Sequence, residues 1–126
     1  MTLSASDSSA APHVFLASAQ PVPGPGINSR TLLDSPTLRL VRFTLDAGEE
    51  LTEHTSTRPA LVQVLSGECD FSLGPHAHPL GPGDVVWMPA NTPHAVVART
   101  PLVFLLTLGN PVPMDGGQPA RRVTAS

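Results

Sequence analysis

Two histidines, His54 and His94, are the residues of this sequence with the clearest potential for chemistry. Each lies in a short segment typical of a β-strand, where alternate side chains share a face, so His54 is aligned with Ser56 and His94 with Val96. If both rows face one interior, the imidazoles approach each other and could bind a metal ion or act as a general base. The alternative, which we favour, is that both are polar pocket residues, hydrogen-bonded through Ser56 or through ordered water.

A second histidine pair, His76 and His78, has the one-residue separation of two ligands on a strand. It directly follows Gly74 and Pro75, which are turn-forming residues. The context therefore predicts an exposed hairpin connection rather than a metal site.

The elements that position these residues are indicated by the distribution of proline, which removes a hydrogen-bond donor from a sheet. The chain has 15 prolines, yet none falls in the runs 37–46, 60–73, 83–88, 94–100 and 102–108. These runs are rich in β-forming residues and are separated by turn sequences, which predicts an all-β sandwich or barrel. The run 102–108 is apolar on both faces, so it requires a second sheet or a second subunit outside it, and we expect a homodimer.

Composition and charge restrict the class of protein. A length of 126 residues suits a single domain. The net charge of -3 argues against a nucleic-acid partner. No run approaches the ~20 apolar residues of a membrane span, no basic signal-peptide region precedes the core, and Cys69 is the only cysteine. We therefore expect a cytoplasmic protein with no membrane or nucleic-acid partner.

The ends of the chain differ in composition from the middle. Residues 1–20 begin with a Ser- and Ala-rich segment and are expected to form a flexible or partner-docking arm. Residues 21–110 are expected to form the β-barrel, and residues 111–126 a Pro- and Gly-rich tail.

The spacing of glycine and histidine forms two motifs. Five residues separate Gly48 from His54, and Gly67 follows further on, with Ser56 and Ala60 between them. This resembles the first cupin motif, which runs glycine, five residues, His, one residue, His, three or four residues, Glu, six residues, Gly. Ser56 therefore stands where the family has its second His, and Ala60 where it has Glu.

The second motif lies in the segment GDVVWMPANTPHAV. The family pattern is glycine, five residues, Pro, one residue, Gly, two residues, His, three residues, Asn. Gly83, Pro89 and His94 match it, whereas Asn91 replaces the glycine and Ala98 the asparagine. Residues 39–108 thus resemble a small single-domain cupin of the RmlC-like superfamily.

The resemblance implies an antiparallel cupin β-barrel, that is, a double-stranded β-helix of jelly-roll type, which is often dimeric. It also implies that a metal-dependent member would use three His and one Glu, of which only His54 and His94 remain here. A degenerate metal site is therefore expected, with a divalent transition metal (Zn, Ni, Fe or Mn) as the alternative at these two residues. Catalytic residues are not assigned.

Three functional hypotheses remain open. The first is a barrel that binds a small molecule, such as a small carboxylate or an aromatic compound, and has a degenerate metal site. The second is a metal-dependent dioxygenase or isomerase that uses His54 and His94 as ligands. The third is a metal-free isomerase or lyase with a histidine base, which the absence of a carboxylate from the inward rows disfavours.

The predicted pocket contains inward-facing residues of three strands. Trp87 and Met88 are adjacent, so one must face inward and the other outward, and the sequence does not decide between them. Arg42 and Arg58 are possible contacts for an anion, although we interpret both as solvated edge charges. The full predicted pocket set is His54, Ser56, Ala60, Val62, Trp87, Met88, His94 and Val96.

Overall fold

The computed structural model describes residues 25–110. Within this range the chain forms nine strands and no helix. The predicted N-terminal arm, 1–20, and C-terminal tail, 111–126, lie outside the described residues. In chain order the strands are β1 (Ile27–Asp34), β2 (Leu38–Leu45), β3 (Glu50–His54), β4 (Ala60–Ser66), β5 (Cys69–Leu73), β6 (His76–Leu80), β7 (Val85–Met88), β8 (His94–Ala98) and β9 (Leu102–Gly109).

The strands form two antiparallel sheets. The larger sheet has the order β1-β2-β9-β4-β7, and the smaller one the order β3-β8-β5-β6. Each sheet joins strands that are distant in sequence, and the apolar side chains of the two sheets form one core cluster. This arrangement confirms the prediction of an all-β, antiparallel jelly-roll.

Alternation of apolar and polar residues explains which face of each strand is buried. In β4, Ala60, Val62 and Val64 are buried, whereas Leu61 and Gln63 are exposed. A shift of one residue in register would expose the whole apolar row, so the pattern fixes the pairing of β4 with its neighbours. The inward row of β4 lies opposite Leu108, Leu106 and Phe104 of β9, in that order.

Strand β7 decides between Trp87 and Met88. Met88 is 2% exposed and faces the core, whereas Trp87 is 60% exposed on the outer face of the larger sheet. The expectation that placed Trp87 in the pocket is therefore corrected, because adjacent residues of a strand point to opposite faces.

The segment around His76 and His78 also differs from expectation. It forms β6, an exposed strand that pairs with β5, and not a turn. Pro79 lies within it, opposite Asp70. An edge strand tolerates proline because one of its sides donates no hydrogen bonds to a neighbouring strand.

Candidate functional site

His54 and His94 lie side by side on the smaller sheet. They are direct partners in the antiparallel pairing of β3 with β8. Their ring centroids are 4.1 Å apart and their planes are inclined by 59°. The juxtaposition expected from the two strand rows is therefore present in the structure.

The two rings are held by the same kind of hydrogen bond. Nδ1 of His54 lies 2.8 Å from the carbonyl oxygen of Thr52, and Nδ1 of His94 lies 2.8 Å from that of Thr92. A carbonyl oxygen only accepts, so each Nδ1 carries the hydrogen and donates it. In a neutral ring this leaves Nε2 as a bare acceptor, and neither Nε2 has a protein partner among the described residues.

The electrostatic environment favours the neutral form of His94. Burial lowers the pKa of His94 below its ordinary value, and the neighbouring His54 acts in the same direction. The hydrogen bond to the Thr92 carbonyl opposes both effects without cancelling them. His94 is therefore held as an uncharged imidazole at neutral pH.

These imidazoles border a small cavity between the two sheets. Its volume is about 40 Å³. Since a water molecule needs roughly 10–15 Å³ on a comparable measure, the cavity has space for only a few non-hydrogen atoms. Phe71 forms part of the wall, with its ring parallel to that of His94 within 4° and the centroids 6.2 Å apart. The lining residues are Phe43, Leu51, His54, Val62, Phe71, Met88, His94, Val96, Phe104 and Leu106.

Three residues of the predicted pocket set are not part of this lining. Ser56 lies beyond the end of β3, and its hydroxyl accepts the backbone N–H of Arg58. Ala60 is 4% exposed and packs within the core. Trp87 lies on the outer face, as described above. The other five members of the set, His54, Val62, Met88, His94 and Val96, line the cavity.

Sequence reasoning omitted half of the lining. Phe43 of β2 and Phe104 of β9 are direct partners in the larger sheet, with centroids 5.0 Å apart. Leu106 continues the same inward row of β9. The signal was present in the alternation of β2 and β9, but the apolar residues on both faces of β9 conceal which row is inward.

The sequence matches one family over the segment that carries this site. The family described as Cupin domain matches residues 41–108. The chain belongs to the cupin family. The match includes strands β2 to β9 almost entirely, and thus both histidines and every residue that lines the cavity.

The glycines of the two motifs lie in turns of this cupin where the backbone has a positive φ angle. Gly48, Gly67 and Gly83 have positive φ angles of 86°, 85° and 91°. Asn91, which replaces the glycine of the second motif, also has a positive φ, of 66°. Asparagine tolerates the left-handed conformation better than most residues, so the turn that leads into His94 retains its shape.

The donor set does not fit the four-ligand metal centre that the motifs of a metal-dependent cupin imply. Within residues 25–110, no group of three or more His, Cys, Asp or Glu side chains is arranged to bind a metal. The cavity contributes two imidazole nitrogens and no carboxylate. A catalytic zinc usually has three protein ligands, so two nitrogens alone form an incomplete site.

Solved structures of other proteins support the cupin fold. A conserved protein of unknown function from Streptococcus pyogenes is 32% identical with a TM-score of 0.63, covering 69% of this chain and 76% of that one. A cupin superfamily protein from Desulfitobacterium hafniense is 24% identical with a TM-score of 0.68, covering 75% and 86%. The DMSP lyase DddQ from Ruegeria pomeroyi is 24% identical with a TM-score of 0.64, covering 68% and 47%, and this likeness shows the fold alone.

No curated protein matches the chain significantly. Within the described range of 25–110, no helix is long and apolar enough to cross a membrane.

Proposed function

We propose that this cupin domain binds a small molecule in the cavity beside His54 and His94, at a metal site that has become degenerate. The observation that supports this most directly is an apolar cavity with two polar groups at one end, since few polar groups in an apolar wall are typical of ligand sites. His54 is exposed and also lines the cavity, so it marks the end that opens to solvent.

The positions of the two polar groups support binding rather than a purely structural role. Nδ1 of the half-buried His94 is fixed by the Thr92 carbonyl, while its Nε2 has no partner among the described residues and is not one of their fully buried unpaired atoms. This nitrogen is therefore open to a hydrogen-bond donor, which a ligand or a water molecule can supply.

A metal-dependent enzyme of dioxygenase or isomerase type is the second candidate, and one observation favours it. Donation of Nδ1–H to a backbone carbonyl is the arrangement that orients metal-binding histidines. Both His54 and His94 have this arrangement. A bound Zn, Ni, Fe or Mn ion would act as a Lewis acid there, and the two Nε2 atoms would be its protein ligands. The missing carboxylate makes this the weaker proposal.

A metal-free histidine base has less support. A histidine base is usually oriented by a further group, most often a carboxylate. Both Nδ1 atoms donate to backbone carbonyls instead, and no Asp or Glu of the described residues lines the cavity. Catalysis by this route would therefore use an imidazole oriented by a backbone carbonyl, without the carboxylate that usually stabilises the protonated base.

Metal content distinguishes the first two proposals. Untagged protein, purified without chelator, is analysed for metals together with His54→Ala, His94→Ala and the control His78→Ala. Small-molecule binding at a degenerate site predicts no stoichiometric metal in any of the four proteins. One metal ion per chain that either site variant loses and His78→Ala retains would instead establish the metal-dependent alternative.

We also propose that the protein forms a homodimer through the outer face of the larger sheet. Leu61 and Trp87 are direct partners in the pairing of β4 with β7 and are 40% and 60% exposed. Val85, on the same face, is 54% exposed. We call Leu61, Val85 and Trp87 the outer patch. A cluster of exposed large apolar residues is typical of a protein interface, and a second copy could cover it by two-fold symmetry.

The sole tryptophan makes this proposal measurable. Trp87 is the only tryptophan of the chain, so its emission reports directly on the outer patch. On dilution from the dimer we expect a red shift of emission together with a halving of the mass in light scattering. Leu61→Glu should give the monomer mass at all concentrations, whereas Val97→Glu, at an exposed apolar position of the smaller sheet, should not. A monomeric wild type with concentration-independent emission would contradict the proposal.

The proposed location and partners follow from charge and cysteine content. A net charge of -3 gives no electrostatic attraction to nucleic acid. The only cysteine, Cys69, is buried and free, so no disulfide within the chain indicates an oxidising compartment. We therefore propose a cytoplasmic protein.

A further inference from the structure

The chemistry of the cavity wall restricts what it can bind. We propose that the cavity selects a short aliphatic alcohol, a neutral molecule of a few non-hydrogen atoms with one hydroxyl donor, and discriminates against carboxylates and aromatic rings. This inference rests on the proposed function, because it presumes that the cavity is the binding site.

The hydrogen-bonding state of the imidazoles determines which polar group fits. In both His54 and His94, Nδ1 lies 2.8 Å from a backbone carbonyl oxygen and donates a hydrogen bond to it. The remaining polar atoms, the two Nε2 nitrogens, are acceptors in the neutral rings. A ligand hydroxyl can donate its hydrogen to one of the two Nε2 atoms, whereas a ligand with acceptors only would place its lone pair against that of the nitrogen.

The distribution of charge determines the net charge of the ligand. Among the described residues, none with a charged side chain lines the cavity. Arg58 donates instead to the carbonyl of Gly109, 2.7 Å away. Arg42 alternates with Phe43 along β2 and therefore points to the opposite face of the sheet. A carboxylate would enter an apolar cavity without a cation, which is strongly unfavourable.

The volume determines the size of the ligand. The cavity of about 40 Å³ is several times smaller than the ~150 Å³ cavity in which an engineered protein binds benzene. An aromatic ring would have to displace Phe71, Met88 or their neighbours. An alcohol of up to three carbons is smaller than an aromatic ring and requires less displacement if its hydroxyl lies towards the exposed His54.

Three probes of nearly equal size separate these properties: 2-propanol, acetone and acetate each have four non-hydrogen atoms. Binding is followed by NMR of the methyl groups of Met88, Val62 and Val96, which line the cavity. The exposed Val85 and Val97 serve as internal controls for unspecific solvent effects. We expect saturable shifts that are confined to the cavity methyls, with 2-propanol about three- to tenfold tighter than acetone. Acetate should bind at least about tenfold more weakly than 2-propanol.

A histidine variant tests the origin of the preference. His54 is exposed, so His54→Ala should retain the fold, which the methyl spectrum checks. We expect the variant to lose part of the preference for 2-propanol over acetone, because Nε2 of His54 is absent while Nε2 of His94 remains as an acceptor. His78→Ala removes an exposed histidine of β6, outside the cavity, and should bind both probes as the wild type does.

The possible failures are distinguishable. If acetone binds as tightly as 2-propanol, or acetate within threefold, the ligand class is wrong while binding at the cavity stands. If none of the three probes shifts the cavity methyls but a fragment library does, the inference fails alone. If neither the probes nor the library shifts them, the inference and the proposed function both fail.

Discussion

Replacing Met88 with alanine tests how tightly the cavity is bounded. Met88 is 2% exposed, lines the cavity and lies opposite Ala60 in the pairing of β4 with β7. The substitution removes three non-hydrogen atoms of a buried side chain. It should therefore both destabilise the fold and admit a larger ligand.

The expected loss of stability follows from two contributions. Removing three buried groups at ~0.8 kcal/mol per methylene costs about 2.4 kcal/mol of transfer free energy. At interior packing density these atoms leave a void of roughly 60–70 Å³, which at ~24 cal/mol per Å³ adds about 1.5 kcal/mol if the site does not collapse. We expect a loss of about 3–4 kcal/mol in the free energy of unfolding, within the ~2–5 kcal/mol range for such substitutions.

The assay is urea unfolding followed by circular dichroism at a fixed protein concentration, with and without a larger alcohol such as 3-pentanol. Met88→Ala should gain about 1.4 kcal/mol when the alcohol is present at about ten times its dissociation constant. The wild type should gain much less, because its cavity is too small. Met88→Leu conserves the volume and should lose less than about 1.5 kcal/mol without any change in ligand size.

Two results would refute this reasoning. A loss below about 1 kcal/mol in Met88→Ala would mean that the side chain does not fill the wall between the sheets, since that is below the range for buried methionine. Equal stabilisation of wild type and variant by 3-pentanol would mean that the cavity volume does not limit the ligand. Either result would remove the size argument for a short alcohol.

Three further predictions concern the turns and the titratable groups. Gly67→Ala should lower the free energy of unfolding in urea by at least about 2 kcal/mol more than Gly48→Ala. The two glycines have nearly the same φ, 85° and 86°, but only at Gly67 would a new Cβ lie 2.9 Å from Cα of Leu102. Equal losses in the two variants would contradict this contact. Burial raises the pKa of Cys69 to about 11 from 9.0, so at pH 8 its thiol should react with an alkylating reagent roughly 100-fold more slowly than in the unfolded chain. The lowered pKa of His94 means that the unfolded chain takes up its proton first as the pH falls below 6.5, so unfolding titrations should show stability decreasing there in wild type more than in His94→Gln.

Much of the fold was predictable because proline reports on strand hydrogen bonding. Four of the five proline-free runs contain β2, β7, β8 and β9, and the fifth, 60–73, contains both β4 and β5. Strand β6 is not proline-free, because an edge strand accommodates Pro79. Strands β1 and β3 contain no proline, but they lie outside the five runs because most of their residues are polar or only half-buried.

The site was predictable where strand parity, the alternation of side chains between the two faces of a strand, holds, and not elsewhere. Parity correctly places Val62 and Val96 on the same interior as the two histidines. It fails for Ser56, because β3 ends at His54 and alternation does not continue past the end of a strand. Parity alone also cannot choose between Trp87 and Met88, since the choice depends on the register of β7 against β4.

One of the substitutions that make the metal motif incomplete, Ala60, avoids a buried charge in the barrel. Ala60 stands where the motif has Glu, and it lies in the apolar core, 4% exposed and opposite Met88 and Leu108. A carboxylate at this position would need a metal ion or another cation to offset its desolvation, whereas alanine needs no partner. The absence of this ligand therefore leaves this part of the core without a carboxylate. The same substitution that disfavours a divalent metal favours an uncharged ligand, which is why we connect the degenerate motif with the proposed preference for an alcohol.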